Sequence, residues 1–298
     1  MSRWSAIGCA LLVTLTPRGV SGETPNQRTY RIRLLERLAS GDADSARVLV
    51  GSERIGSRRV VDHLLADYVQ ARLENRRESA TQSYRSARTI AELYAREFGD
   101  SLCLRQATFY DGLTDATLPS EVTAWERYLE TRRLHESSQW QAAQEILPDV
   151  VRLARLAGDP YLEQRAEALS GYCLHVLGLY EEARGPYRRA LELSRGLRDP
   201  TREARLLANI AFTYQAQDRL DEALESFLGV LQSARRAHDW ELYVGTLNGL
   251  GVQFHQRGDL DSAQVFFEEG LTLARERGIE DREAEILSNM GSVFEERG

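Results

Sequence analysis

GLGVQFHQRGDLDSAQVFFEEG, residues 249–270, lies over NIAFTYQAQDRLDEALESFLGV, residues 209–230, and over LSGYCLHVLGLYEEARGPYRRA, residues 169–190, without a gap. The interval is 40 residues each time, and blocks of this kind begin at Glu121, Tyr161, Thr201, Glu241 and Asp281. Each block carries a small residue first: Gly171, Ala211, Gly251 and Gly291, with Thr131 as the odd member. Three residues on comes a large apolar one: Leu134, Leu174, Tyr214, Phe254 and Phe294. A turn column follows, Ser138, Gly178, Asp218, Gly258 and Gly298, and then Trp140, Tyr180, Leu220 and Leu260. The alanine column is unbroken: Ala143, Ala183, Ala223 and Ala263. Leu147, Tyr187, Phe227 and Phe267 come next, and Val150, Ala190, Val230 and Gly270 complete the pattern.

These columns describe a helix, a tight turn and a second helix in every block. Small residues such as Gly251 and Ala263 let two antiparallel helices approach to about 8–10 Å, and large ones such as Phe254 and Phe267 fill the space beside the crossing. Glycine inside a helix costs about 1 kcal/mol relative to alanine, so its return in register signals a packing demand. One helical hairpin cannot bury both of its faces and must stack on the next.

The pattern resembles the tetratricopeptide repeat, which places Gly, Tyr, Ala and Phe at these offsets within a unit of 34 residues. The six extra residues per block lengthen the helices by about 9 Å in total, at 1.5 Å per residue. The resemblance implies an all-α fold, a right-handed superhelical solenoid of antiparallel helix pairs. It covers residues 121–298, with the last repeat incomplete; residues 23–120 read as divergent helical N-terminal repeats. There, residues 60–76 and 81–98 have helical apolar spacing, Gly51-Ser52 and Gly56-Ser57 mark a loop, and residues 101–120 break the register.

Composition narrows the function. The chain of 298 residues carries a net charge of −7, which is no phosphate-neutralising surface, so nucleic acid is excluded as a partner. All 38 basic residues are arginine, which removes lysine-dependent chemistry such as Schiff-base formation. Three cysteines, Cys9, Cys103 and Cys173, form no CxxC pair, and Cys173 reads as a small buried hydrophobe. At the N-terminus Arg3 precedes an apolar run over residues 6–15, with Pro17 and then the small residues Val20-Ser21-Gly22. Residues 1–22 therefore read as an export signal, which implies a periplasmic, extracellular or outward-facing anchored protein; the alternative is a cytoplasmic regulator that keeps this apolar start.

A helix advances about 100° per residue, so a second stripe on each first helix lies roughly 120° from the packing face. It holds Tyr172, His175, Phe212, Gln215, Asn248, His255 and, beside them, Asn209 and Asn289. In tetratricopeptide arrays this stripe lines the concave groove. The resemblance implies that Asn209 and Asn289, at equivalent places two repeats apart with Asn248 adjacent in the groove, clamp the backbone of an extended peptide, since an amide both donates and accepts. The alternative is that these asparagines are solvated surface residues. Arg165 and Arg205 read as rim cations for an acidic ligand, or as partners of neighbouring carboxylates.

No enzyme signature is present in the sequence. Gly249-Leu250-Gly251 lacks the third glycine of a dinucleotide motif and lies inside a repeat helix. His175 and His255 stand two repeats apart, about 20 Å at the ~10 Å spacing of packed helices, too far to share a metal. No cofactor is expected. Leu287, Met290 and Phe294 call for a C-terminal continuation or a partner to cover them. The function implied is a scaffold that binds a peptide or partner protein in the groove. The alternative is the sensory or partner-binding front of a larger enzyme: a sensor kinase, a diguanylate cyclase or a CHAT-type peptidase.

Overall fold

In the computed structural model, which describes residues 25–114 and 116–297, every turn of the periodic array holds one residue in the left-handed backbone region. Ser138, Gly178, Asp218 and Gly258 have φ of 60°, 79°, 57° and 76°, so the turn column occupies the conformation expected of it. The amide of the residue after the left-handed one then reaches back into the last turn of the helix: Gln139 N–H to Leu134 O at 2.8 Å, Arg219 N–H to Tyr214 O and Asp259 N–H to Phe254 O at 3.0 Å. A second left-handed column alternates with the first, at Gly158, Arg198, His238 and Gly278. There the backbone bond runs to Ala154, Ser194, Ala234 and Ala274, all fully buried.

Fourteen helices and no strand are present among the described residues. The fold is all-α, a series of antiparallel helix pairs of tetratricopeptide type. Two compact units divide the chain between Leu177 and Gly178. The first contains α1 (Pro25–Ala39), α2 (Ala43–Ser52), α3 (Arg54–Leu73), α4 (Arg77–Phe98), α5 (Leu102–Asp111), α6 (Leu118–Glu136), α7 (Trp140–Ala157) and α8 (Pro160–Val176). The second contains α9 (Tyr180–Gly196), α10 (Pro200–Gln215), α11 (Leu220–Ala237), α12 (Trp240–Gln256), α13 (Leu260–Arg277) and α14 (Glu280–Arg297). The export signal expected over residues 1–22 lies outside the described residues.

In the first unit α3 packs on α4, α6 on α7 and α7 on α8, and α3 also meets α6. One continuous core runs from Leu34 to Cys173, so the irregular helices and the first regular repeat share it. The boundary between compact units falls inside the periodic region, after Leu177. A correction concerns Gly51-Ser52 and Gly56-Ser57, which are not a loop: they end α2 and begin α3, with Glu53 alone between the helices. Their smallness serves packing. A Cβ on Gly56 would stand 3.2 Å from the Tyr30 ring, and the buried Ser57 hydroxyl lies 2.6 Å from Tyr30 Oη.

In the second unit each helix packs on the next from α9 to α14, and the first helices α12 and α14 also touch. Ala183, Ala223 and Ala263 are fully buried, as is Ala143 in the first unit. Gly251 is buried as well, and the group nearest to it is the Phe267 ring. Among the described residues no helix is long and apolar enough to cross a membrane.

Candidate peptide-binding face

The contact between α12 and α14 brings two of the predicted asparagines together. Asn289 Nδ2 donates to Asn248 Oδ1 at 2.8 Å. Asn248 is buried and Asn289 half-buried. Whichever way the two amides are turned, a pair joined by one bond keeps a donor on one residue and an acceptor on the other. On the same helices His255 Nε2 lies 3.0 Å from Glu296 Oε1.

The other stripe residues of the second unit are placed differently. Asn209 is only 3% exposed, and its Oδ1 has no hydrogen-bond partner. Phe212 is buried with its ring edge-on to Phe227, centroids 5.4 Å apart, so it belongs to the core between α10 and α11 and not to an open surface. Gln215 is half-buried. Arg205 is no free rim cation: its guanidinium lies 3.6 Å from the carboxylate of Asp239, the residue that caps α12.

In the first unit Tyr172 joins a cluster of rings. It lies 5.1 Å from His135 and 5.7 Å from Trp140, and His135 and Trp140 are 4.7 Å apart. Burial, aided by the Arg132 charge, pushes His135 down to about 4; burial alone does the same to His175. Both imidazoles are therefore neutral at physiological pH, and this stretch of the stripe is aromatic and uncharged. Arg165 departs most from its expected place. It is 8% exposed, forms an ion pair with Asp62 of α3, and lies over the Trp125 ring at 5.7 Å. A cation held in this way ties helices together and cannot line a rim.

Sequence reasoning missed two repeating features. Asp159, Asp199 and Asp239 follow the second left-handed column and cap α8, α10 and α12 by accepting backbone N–H bonds. All three are almost fully buried. Arg155–Glu163 at 2.6 Å and Arg195–Glu203 at 3.0 Å bridge the first two of these turns, and Arg275–Glu283 at 2.8 Å bridges the turn at Gly278. Both features keep the 40-residue register, with Tyr243 breaking the glutamate column once, so the interval that revealed the apolar columns would have revealed these too. A third, the buried group around Glu121, has no periodic signal. No cluster of histidine, cysteine or carboxylate side chains suited to a metal ion occurs among the described residues.

Comparison with known proteins agrees with the repeat pattern. A tetratricopeptide repeat family model matches residues 164–236 and again residues 202–276. No curated protein matches the chain. Among solved structures, BtubC from P. vanneervenii is similar, with 18% identity and a TM-score of 0.48 over 75% of this chain and 83% of that one. The apo form of RapI has 13% identity and a TM-score of 0.44 over 92% of this chain and 100% of that one. A Rap protein complexed with competence and sporulation factor has 13% identity and a TM-score of 0.41 over 92% and 99%. The matched region, residues 164–276, with small residues at the helix crossings and left-handed residues at the turns, is built of tetratricopeptide repeats.

Proposed function

We propose that the chain is a protein-interaction scaffold whose second unit holds an extended peptide segment of a partner against α12 and α14. The observation that carries this reading is the Asn248–Asn289 pair. Its remaining donor and acceptor match the C=O and N–H of one peptide unit in an extended ligand. The pair stands on two packed helices, so its spacing is set by the helix contact and needs little ordering when a ligand arrives. Asn209, with a buried acceptor left open, is a further polar point on a first helix of the same unit. A groove of this kind reads main chain more than side chains, so the partner is a class of peptides and not one sequence.

The test is binding of a displayed library of short random peptides to the purified chain and to the Asn248→Ala/Asn289→Ala variant. Each hydrogen bond contributes about 0.5–1.5 kcal/mol, so loss of both weakens binding by roughly tenfold or more. Circular dichroism should show unchanged helix content. Equal capture of peptides by the two proteins would dismiss the amide pair as a ligand contact.

A further inference from the structure

Glu121, in the first turn of α6, is fully buried. Its Oε1 accepts a hydrogen bond from Trp125 Nε1 at 2.8 Å, while Oε2, equally buried, finds no donor among its neighbours. The carboxyl group is instead in side-chain contact with that of Asp159, itself 1% exposed. Two carboxylates have no proton to share, and the charge repulsion of such a pair in a dry site is severe. One hydrogen removes the conflict.

We propose that Glu121 is held as a neutral acid whose O–H donates to Asp159, so that a single buried proton fastens α6 to the capped start of α8 and releases it as the medium turns alkaline. The hydrogen-bond count decides which residue keeps the proton. Asp159 Oδ1 accepts the backbone N–H groups of Tyr161 at 2.8 Å and Leu162 at 3.0 Å, and Oδ2 accepts the Tyr110 hydroxyl at 2.9 Å. Asp159 thus already has three donors, whereas Glu121 has the indole alone, so the shared hydrogen belongs on Glu121 and points to Asp159. Charge balance agrees. The groups around the pair are Tyr110, Cys103 and Arg105 on α5, Tyr161 and Arg165 on α8, Tyr128 on α6 itself, and Asp62 on α3. Arg165 is the one buried cation in this set, and it is already engaged with Asp62. Desolvation, followed by the Asp159 charge, raises Glu121 from an ordinary 4.5 to about 9.

The folded protein thus binds one more proton than the unfolded chain between roughly pH 4.5 and 9. The stabilising effect of that proton is complete below the ordinary carboxylate value and is lost as pH rises toward 9. The joint is a triple one, because Asp159 also holds α5 through Tyr110 and stops the first turn of α8 from fraying.

Two measurements on the full chain test the proposal. Infrared spectroscopy at pH 7 should show the C=O stretch of a protonated carboxylic acid, present in wild type and gone in Glu121→Gln; a wild-type spectrum without that band overturns the proposal whether or not the variant folds. Hydrogen exchange of α5, α6 and α8, corrected for the intrinsic rate, should show the opening constant rising by up to tenfold per pH unit from pH 7 to 8.5 in wild type. Glutamine can accept from Trp125 and donate to Asp159 without titrating, so Glu121→Gln should flatten this dependence. An equal slope in both proteins would also overturn it.

Discussion

The ring of Phe267 occupies the place where a side chain at Gly251 would begin: a Cβ on Gly251 would stand 2.5 Å from Cε1 and 2.6 Å from Cδ1. This contact sets how closely α12 and α13 approach. It also explains why a helix interior tolerates glycine there, since the propensity loss of about 1 kcal/mol is offset by a fully buried phenylalanine. The same column reaches Gly291 on α14, where a Cβ would meet nothing within 4 Å.

The two glycines should therefore respond in opposite directions to one substitution. Gly251→Ala gains about 1 kcal/mol of helix propensity but overpacks a close crossing, which costs about 1–3 kcal/mol, so it destabilises the second unit or at best leaves it unchanged. Gly291→Ala meets open space on an exposed helix face and should stabilise by about 0.5–1 kcal/mol. Urea midpoints of the two variants against wild type decide the matter. A Gly251→Ala protein more stable than Gly291→Ala would mean that the Phe267 contact is not formed in solution.

The Asp62–Arg165 pair joins α3 to α8 across 103 residues of sequence. Gln106 Nε2 also donates to Asp62 Oδ1 at 3.2 Å. Asp62→Ala strands a guanidinium that is 8% exposed and should cost about 3 kcal/mol, well above a surface ion pair at about 0–1 kcal/mol. An apolar double replacement, Asp62→Leu/Arg165→Met, should recover much of that loss. Thermal unfolding of the three proteins provides the comparison, and a double variant no more stable than Asp62→Ala would contradict a coupled pair.

Acid should loosen the first unit through His135 and His175. Each is depressed from 6.5 to about 4 by burial, so the unfolded chain binds protons that the folded one refuses. The stability held by keeping the rings neutral is present above pH 6.5 and declines as pH falls toward 4. Replacing both histidines by glutamine should flatten the dependence in that window. Hydrogen exchange of α6 and α8 between pH 4.5 and 6.5 checks it, and an unaltered slope would show that other groups govern acid loosening.

Much of the helix-pair pattern was legible because its demands are local and repeated. A left-handed residue at Ser138, Gly178, Asp218 and Gly258 is required by the turn itself, and a small residue at Ala143 or Ala263 by the nearest helix crossing. Identical geometry every 40 residues imposes identical chemistry every 40 residues. The candidate binding face was harder to read. Counting 100° steps placed Phe212, Arg165 and Arg205 on one side of their helices, but it could not say what stands opposite. Phe227, Asp62 and Asp239 do, and they draw those side chains inward.

The sequence by itself determined the all-helical pairing, the positions of the turns and the alanine contacts, since each depends on residues a few positions apart. Tertiary structure alone decided that Asn248 meets Asn289, that Arg165 is spent on Asp62, and that Glu121 lies against Asp159. Those relationships join different helices, and their strength comes from the exclusion of water at the contact. No spacing within one helix encodes which side chain will be opposite, or how dry the gap between them will be.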